Sequence, residues 1–183
     1  NENFVGVGGV RINNEGAITI RFIGIDPSTK TGFVALDRDG KVLVEKEITG
    51  TGDKDPKRMV TLTNNVMCEL KDYDIICIEG FSYGSRGKGI SFQFGLGHAL
   101  RIEMFKQKHN YTDVAPSQVK KFATGKGNTS KDNMILPIYK RWGYEHDSDN
   151  VRDAYVLAQI ARALKGHGEL VKYQEEVIKE LGK

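Results

Sequence analysis

Asp26 closes the apolar run of IRFIGIDPSTKTGF (20–33), and Glu79 closes that of YDIICIEGF (73–81). A strand with an apolar interior and a terminal carboxylate carries that side chain to the rim of a sheet, where sites gather in α/β folds. Asp153 is a third acid of this kind. In 151–165, Ala154, Val156, Leu157, Ile160, Ala161 and Leu164 form the packing side of a helix, and Asp153 stands in its first turn beside that stripe. Asn150, three residues earlier, projects near the same place. Three acids brought together with few basic neighbours repel one another unless a hard divalent cation relieves them. Oxygen-only ligands select Mg²⁺ or Mn²⁺ over zinc. Two such ions about 4 Å apart, bridged by one Asp, suit phosphodiester hydrolysis. An Asp before Pro-Ser is by itself only a turn former, but its repetition at Glu79 and Asp153 favours a shared site. Asp147 and Asp149, in HDSDN (146–150), are read as caps of the last long helix.

Charge distribution supplies a second signal. The 183 residues carry a formal net charge of only +3, yet 81–141 holds eleven Lys or Arg against three acids. An excess of this kind on one part of a chain is the footprint of a nucleic-acid face. Arg86 and Lys88 lie in a Gly-rich loop (80–89) beside the aromatics Phe81 and Tyr83, and Lys126 lies in a second Gly/Lys loop (124–130) just after Lys120 and Lys121. Backbone approaches phosphate closely at glycines, and an exposed ring stacks on an unpaired base. The GKGNTS stretch lacks the spacing of a phosphate-binding P-loop.

The elements that position these groups follow from hydrophobic periodicity. Strands are expected at 18–26, 32–37 and 42–48, joined by the Asp39-Gly40 turn into an antiparallel meander. An amphipathic helix ending near 71–72 precedes a strand at 73–79. A long helix at 90–108, a short strand at 111–114 and helices at 116–123, 131–142, 151–165 and 170–181 complete the chain. Meander strands followed by alternating helices and strands give a mixed α/β sheet. Residues 18–183 form one domain. Residues 1–17 lack an initiating Met, are rich in glycine, and are read as a flexible arm, in part foreign to the native chain. No apolar run reaches the roughly 18 residues of a membrane span, so a cytoplasmic protein without membrane partners is expected. Cys68 and Cys77 are read as reduced core thiols. The four histidines are read as packing or surface groups, with His146 nearest the acids.

Taken together, FIGIDPSTKTGF, IICIEGF, APSQVKKFATGKGNTSK and NVRDAYVLAQIA resemble the RuvC family of Holliday junction resolvases, particularly its phage members, over about 20–164. The resemblance implies the RNase H-like fold, a central mixed five-stranded sheet flanked by helices. It implies Asp26, Glu79 and Asp153 as catalytic, metal-holding acids, assisted by Asn150, with two Mg²⁺ ions per site, for which Mn²⁺ substitutes. Lys120 and Lys131 match the family's basic residues near the scissile phosphate. The residues taken to contact DNA are Phe81, Tyr83, Arg86, Lys88, Lys121 and Lys126. An aromatic wedge follows the second acid in the family; a gapless match falls on Ser82, and Phe81 is the neighbour favoured here.

The activity implied is paired nicking of four-way junctions by a homodimer, with flaps and forks as further branched substrates, in the host cytoplasm if the chain is phage-encoded. The helix at 90–108, with Phe94, Leu96, Ala99, Leu100, Ile102 and Phe105, is the expected dimer contact. Asn150 departs from the family, which carries Asp or His there. It is a weaker ligand, or an inactivating change, or Asp147 or Asp149 takes the role. Two rivals remain: a branched-DNA binding protein that does not cut, and a fragment of an actin-like ATPase, whose first strand and turn are similar.

Overall fold

The computed structural model describes residues 19–83, 87 and 89–183. The arm at 1–17 and the loop residues Arg86 and Lys88 lie outside them.

Strands β1 (Phe22–Asp26), β2 (Lys30–Leu36) and β3 (Val42–Thr49) form the expected antiparallel meander. β4 (Ile75–Glu79) pairs with β1 and β5 (Tyr111–Val114) pairs with β4, both in parallel, so the sheet runs β3-β2-β1-β4-β5. Parallel neighbours need a crossover. Helix α1 (Lys57–Glu69) lies between β3 and β4, and α2 (Ile90–Lys106) between β4 and β5. Helices α3 (Pro116–Thr124), α4 (Asp132–Trp142), α5 (Asp149–Leu164) and α6 (Lys172–Leu181) follow.

Alternation along the central strands divides the core into two layers. Ile23, Ile25, Ile76 and Ile78 face α1 and α2, with Leu62, Val66, Leu96 and Leu100 above them. Phe22, Cys77, Val34 and Leu36 face the other way, onto α5 and its neighbours. Residues buried on both faces explain why β1 and β4 read as continuous apolar runs.

Helix α5 is buried along almost its whole length, because the sheet lies beneath it and α3 and α6 pack beside it. Its approach to the sheet is backbone on backbone. A Cβ at Gly24 of β1 would fall on the Ala154 carbonyl, and one at Gly32 of β2 on the Asn150 carbonyl. These two glycines set how close the amino end of α5 comes to the ends of β1 and β2.

Differences from the expected boundaries have local causes. β4 begins at Ile75, not 73, because Tyr73 takes a positive φ of 68° and Asp74 serves a buried ion pair. Arg21 donates to both Asp74 carboxylate oxygens (2.9 and 2.6 Å) and to the Glu69 carbonyl (2.8 Å), tying β1 to the α1–β4 turn. Such a bidentate pair satisfies both buried charges at once. α2 ends at Lys106, two residues early, just before the left-handed Lys108 (φ 61°). α5 begins two residues early, at Asp149, because Ser148 is its N-cap, with Oγ accepting from the Val151 N–H at 3.3 Å. Ser148 therefore takes the capping role expected of Asp147 and Asp149. Cys77 is a buried thiol as expected, whereas Cys68 is exposed, on the outer side of α1, and is not a core residue. No helix among the described residues is long and apolar enough to cross a membrane.

Candidate active site

Asp26 and Glu79 are the last residues of adjacent parallel strands, one step beyond the Ile25–Ile78 pair. Both leave the sheet on the α5 face, since Gly24 and Cys77, two residues earlier, lie there too. The turn after Asp26 is closed by side chains: Ser28 Oγ donates to the Lys30 carbonyl and Thr31 Oγ1 to the Ser28 carbonyl, each at 2.7 Å. Asn150 ties α5 to the same turn through Nδ2, which donates to the Lys30 carbonyl at 2.9 Å. A further link runs from Ser148 Oγ to the Glu47 carboxylate on β3. The amino end of α5 is thus held from two strands, and its partial positive charge points toward the acids.

These residues line one cleft of about 250 Å³. Asp26, Glu79, Asp153, Asn150, Lys120, Lys131 and Phe81 all border it, so seven of the expected site residues come together. Lys131, just ahead of α4, hydrogen-bonds Asp149 Oδ2 at 2.6 Å and approaches Asp153 Oδ2 at 3.2 Å. Asp149 is thereby occupied as the partner of Lys131.

The remaining expected contacts distribute differently. Tyr83 is 82% exposed and stands at the mouth, with its ring 6.1 Å from Phe81 and 5.7 Å from Phe94. Lys126 is exposed in the turn after α3, its N–H bonded to Thr124 Oγ1 at 3.1 Å. Lys121 points away from the cleft and pairs with Glu176 (3.1 Å) and Glu180 (3.7 Å) of α6. The wedge position Ser82 and its neighbour Phe81 both border the cleft. His146, read as nearest the acids, accepts the Ser148 N–H through Nδ1 at 3.0 Å, a structural contact ahead of α5.

Part of the cleft is supplied by residues that the sequence reading had given no role there. Gln93, Gly97 and Arg101, at intervals of four along α2, present a polar and small stripe to it, with Phe94 alongside. The four-residue spacing is the signal that exposes this face. His98 joins the aromatic cluster, its ring 4.6 Å from Phe81, which also stacks on Phe94 at 5.1 Å.

Burial dominates the electrostatics. Removal from water, then the charge of Asp153, raises Asp26 to about 7, although Lys131 opposes this. Burial, and then Asp26 and Asp153, also push Glu79 well above the usual carboxylate range. Asp153 is raised chiefly by burial, against the pull of Lys131. Partial burial works against the Lys131 ammonium, but its hydrogen bond to Asp149 and the charges of Asp153 and Asp26 outweigh that and hold it firmly protonated. Perturbed carboxyl groups clustered in one cleft are the mark of a functional site.

Among the described residues, no three or more His, Cys, Asp or Glu side chains stand as a ready-made metal cluster. The donor chemistry still fits a hard divalent cation. Asp26 and Asp153 are buried and Glu79 is half-buried, removal from water pushes all three toward the neutral form, and they face one cleft in which Lys131 is the cation beside Asp153.

No family model matches the chain. Curated relatives do. A Helicobacter pylori (strain Shi470) protein named crossover junction endodeoxyribonuclease RuvC is 25% identical over 157 residues, covering 81% of this chain and all of the relative. A Sulfurovum sp. protein of the same name is 24% identical, covering 76% of this chain and 92% of the relative. Among solved structures, Thermus thermophilus RuvC superposes with a TM-score of 0.62 at 17% identity, over 84% of this chain and all of that one. The same protein in complex with a Holliday junction substrate superposes with a TM-score of 0.60 at 16% identity, over 85% of this chain. The structural likeness establishes the RNase H-like fold expected from the motifs, and with the sequence relatives it makes this chain RuvC-like.

Proposed function

We propose that the chain is a divalent-metal-dependent endonuclease that resolves branched DNA, four-way junctions above all, by paired nicks in a homodimer. The observation that carries this reading is the convergence of three carboxyl groups with two lysines in one cleft of a RuvC-like frame. Asp26, Glu79 and Asp153 would hold two Mg²⁺ ions, or Mn²⁺ in their place. Asn150 would add its Oδ1, since Nδ2 is engaged by the Lys30 carbonyl. When bound, such ions activate water and stabilise the leaving oxygen of a phosphodiester.

The chain's own residues do the rest. Lys120 and Lys131 offer fixed positive charge at the cleft wall, where it stabilises charge developing on the scissile phosphate. Phe81, Phe94 and Tyr83 form a ring cluster at the mouth on which an unpaired base can stack. A four-way junction has two equivalent strands to cut, and a two-fold dimer supplies two clefts. A cytoplasmic location goes with this reading.

Asn150 favours a second reading, a junction binder that does not cut, because the position three residues before Asp153 offers an amide where the family has Asp or His. A gel comparing four-way junction, flap and linear duplex in Mg²⁺, Mn²⁺ or EDTA separates the two. The nuclease reading expects metal-dependent nicking of the junction in preference to duplex, abolished in Asp26→Asn with binding retained. Binding without nicking in either metal supports the second reading, and recovery of nicking in Asn150→Asp then identifies Asn150 as the defect.

A further inference from the structure

We infer that Arg101 is a positioning residue, holding the end of β4 at Glu79 and the ring of Phe81 through one guanidinium group. The inference rests on the nuclease reading for the role of Glu79, but its geometry is independent of it. The Arg101 side chain is only 10% exposed. Its Nε and Nη2 donate to Asp113 Oδ1 on β5 at 3.0 and 2.5 Å. Nη1 donates to the Gly97 carbonyl one turn earlier in α2 at 2.8 Å, and Nη2 also donates to the main-chain carbonyl of Glu79 at 3.1 Å. The flat face of the group lies 4.5 Å from the centroid of the Phe81 ring.

Each contact has a physical consequence. Glu79 is the last residue of β4, and the peptide that follows it is held on both sides. Beyond it, Gly80 N–H bonds the Val114 carbonyl at 2.8 Å, and the Glu79 carbonyl accepts from Arg101. Arg101 and the Val114 carbonyl together fix that peptide plane, and with it the end of the strand from which the Glu79 side chain enters the cleft. The same guanidinium supports Phe81 from one side while Gly97 admits it on another, since a Cβ there would come within 2.6 Å of the ring. A base pressing on Phe81 therefore bears on the group that fixes Glu79.

Asp113 neutralises the charge and keeps the guanidinium in place, which distinguishes Arg101 from a phosphate ligand such as Lys120. Lysine cannot take over the role. It lacks the rigid planar fork that reaches three acceptors at once, and it lacks a face to stack.

The test uses the chain of 183 residues with Arg101→Lys, Asp113→Asn and, as a control, Arg58→Lys. Arg58 stacks on Phe92 and pairs with Asp55 outside the cleft. Two readouts are taken: single-turnover nicking of a preformed four-way junction in Mg²⁺, set against junction Kd in EDTA, and Mn²⁺ affinity by electron paramagnetic resonance without DNA. Arg101→Lys and Asp113→Asn are expected to lower the nicking rate about 10- to 100-fold and weaken Mn²⁺ binding about 10-fold, with junction Kd changed less than about threefold. Arg58→Lys should move neither. Unchanged nicking and Mn²⁺ affinity in Arg101→Lys would overturn the inference, as would a loss of junction affinity as large as the loss of rate, which would make Arg101 a phosphate ligand. If the parent chain nicks no DNA, the nuclease reading fails and the Mn²⁺ titration alone decides the role of Arg101. A parent that binds no Mn²⁺ overturns both.

Discussion

At the scale of single residues, the cleft is costly to the fold that carries it. Asp26 is 6% exposed and titrates at about 7, against 3.8 in an unfolded chain. Because the folded value is raised, folding favours the neutral carboxyl. The stability it contributes is complete below pH 4 and is lost as the pH rises through 7. Ionised Asp26 thus opposes folding at neutral pH by on the order of a few kcal/mol. Asp26→Asn removes that penalty. In EDTA at pH 8 the variant should melt several degrees above the parent, each kcal/mol being about 2–4 °C in a chain of this size. The gap should narrow by pH 5 and close only below pH 4, and added Mg²⁺ should raise the parent's Tm while leaving the variant's nearly unmoved. A gap of the same size at both pH values would mean that burial of the charge is not its source.

At the scale of elements, everything depends on how closely α5 approaches β1 and β2, and Gly24 governs this. The Ala154 carbonyl occupies the place of a Gly24 Cβ, and it is backbone with no freedom to swing aside. Gly24→Ala should push the amino end of α5 outward, carrying Asp153 and Asn150 with it. A loss of about 3 kcal/mol in urea unfolding is expected, together with loss of nicking under conditions where the variant is still folded. Gly89→Ala, where a Cβ meets nothing, should stay within about 0.5 kcal/mol. A folded Gly24→Ala protein with full activity would show that α5 tolerates the shift. The sequence revealed this element and its acid because both follow from local pattern: an apolar stripe with Asp153 beside it, and strands that end on carboxylates. It did not reveal that Lys121 would be held by Glu176 and Glu180 of α6, since that pairing joins segments more than 50 residues apart. The clamp at Arg101 was hidden for the same reason. Its partners Glu79, Phe81 and Asp113 meet only once α2 crosses the ends of β4 and β5, and in the sequence Arg101 counted only toward the excess of positive charge.

At the scale of the whole molecule, α2 also bears on the proposed homodimer, and the structure divides the contact residues expected there. Leu96 and Leu100 are fully buried against the sheet layer and belong to the core of this chain. Ile102 is 53% and Phe105 81% exposed, and with the half-buried Phe94 they follow one outward face of the helix. A phenylalanine so exposed gains from being covered, since burying such a side chain is favourable by about 1.5–3 kcal/mol. A charge placed there opposes burial without disturbing the core beneath. Phe105→Glu should therefore leave Tm nearly unchanged while shifting the chain from dimer to monomer in sedimentation at micromolar concentration. On a plasmid carrying an extruded cruciform, the parent dimer should make both nicks in one encounter and release linear DNA. The monomeric variant should accumulate nicked circles, because one cleft cuts one strand and relaxation then removes the junction before a second cut. If Phe105→Glu and Ile102→Glu both remain dimeric and still release linear DNA, the two-fold contact does not use this face of α2.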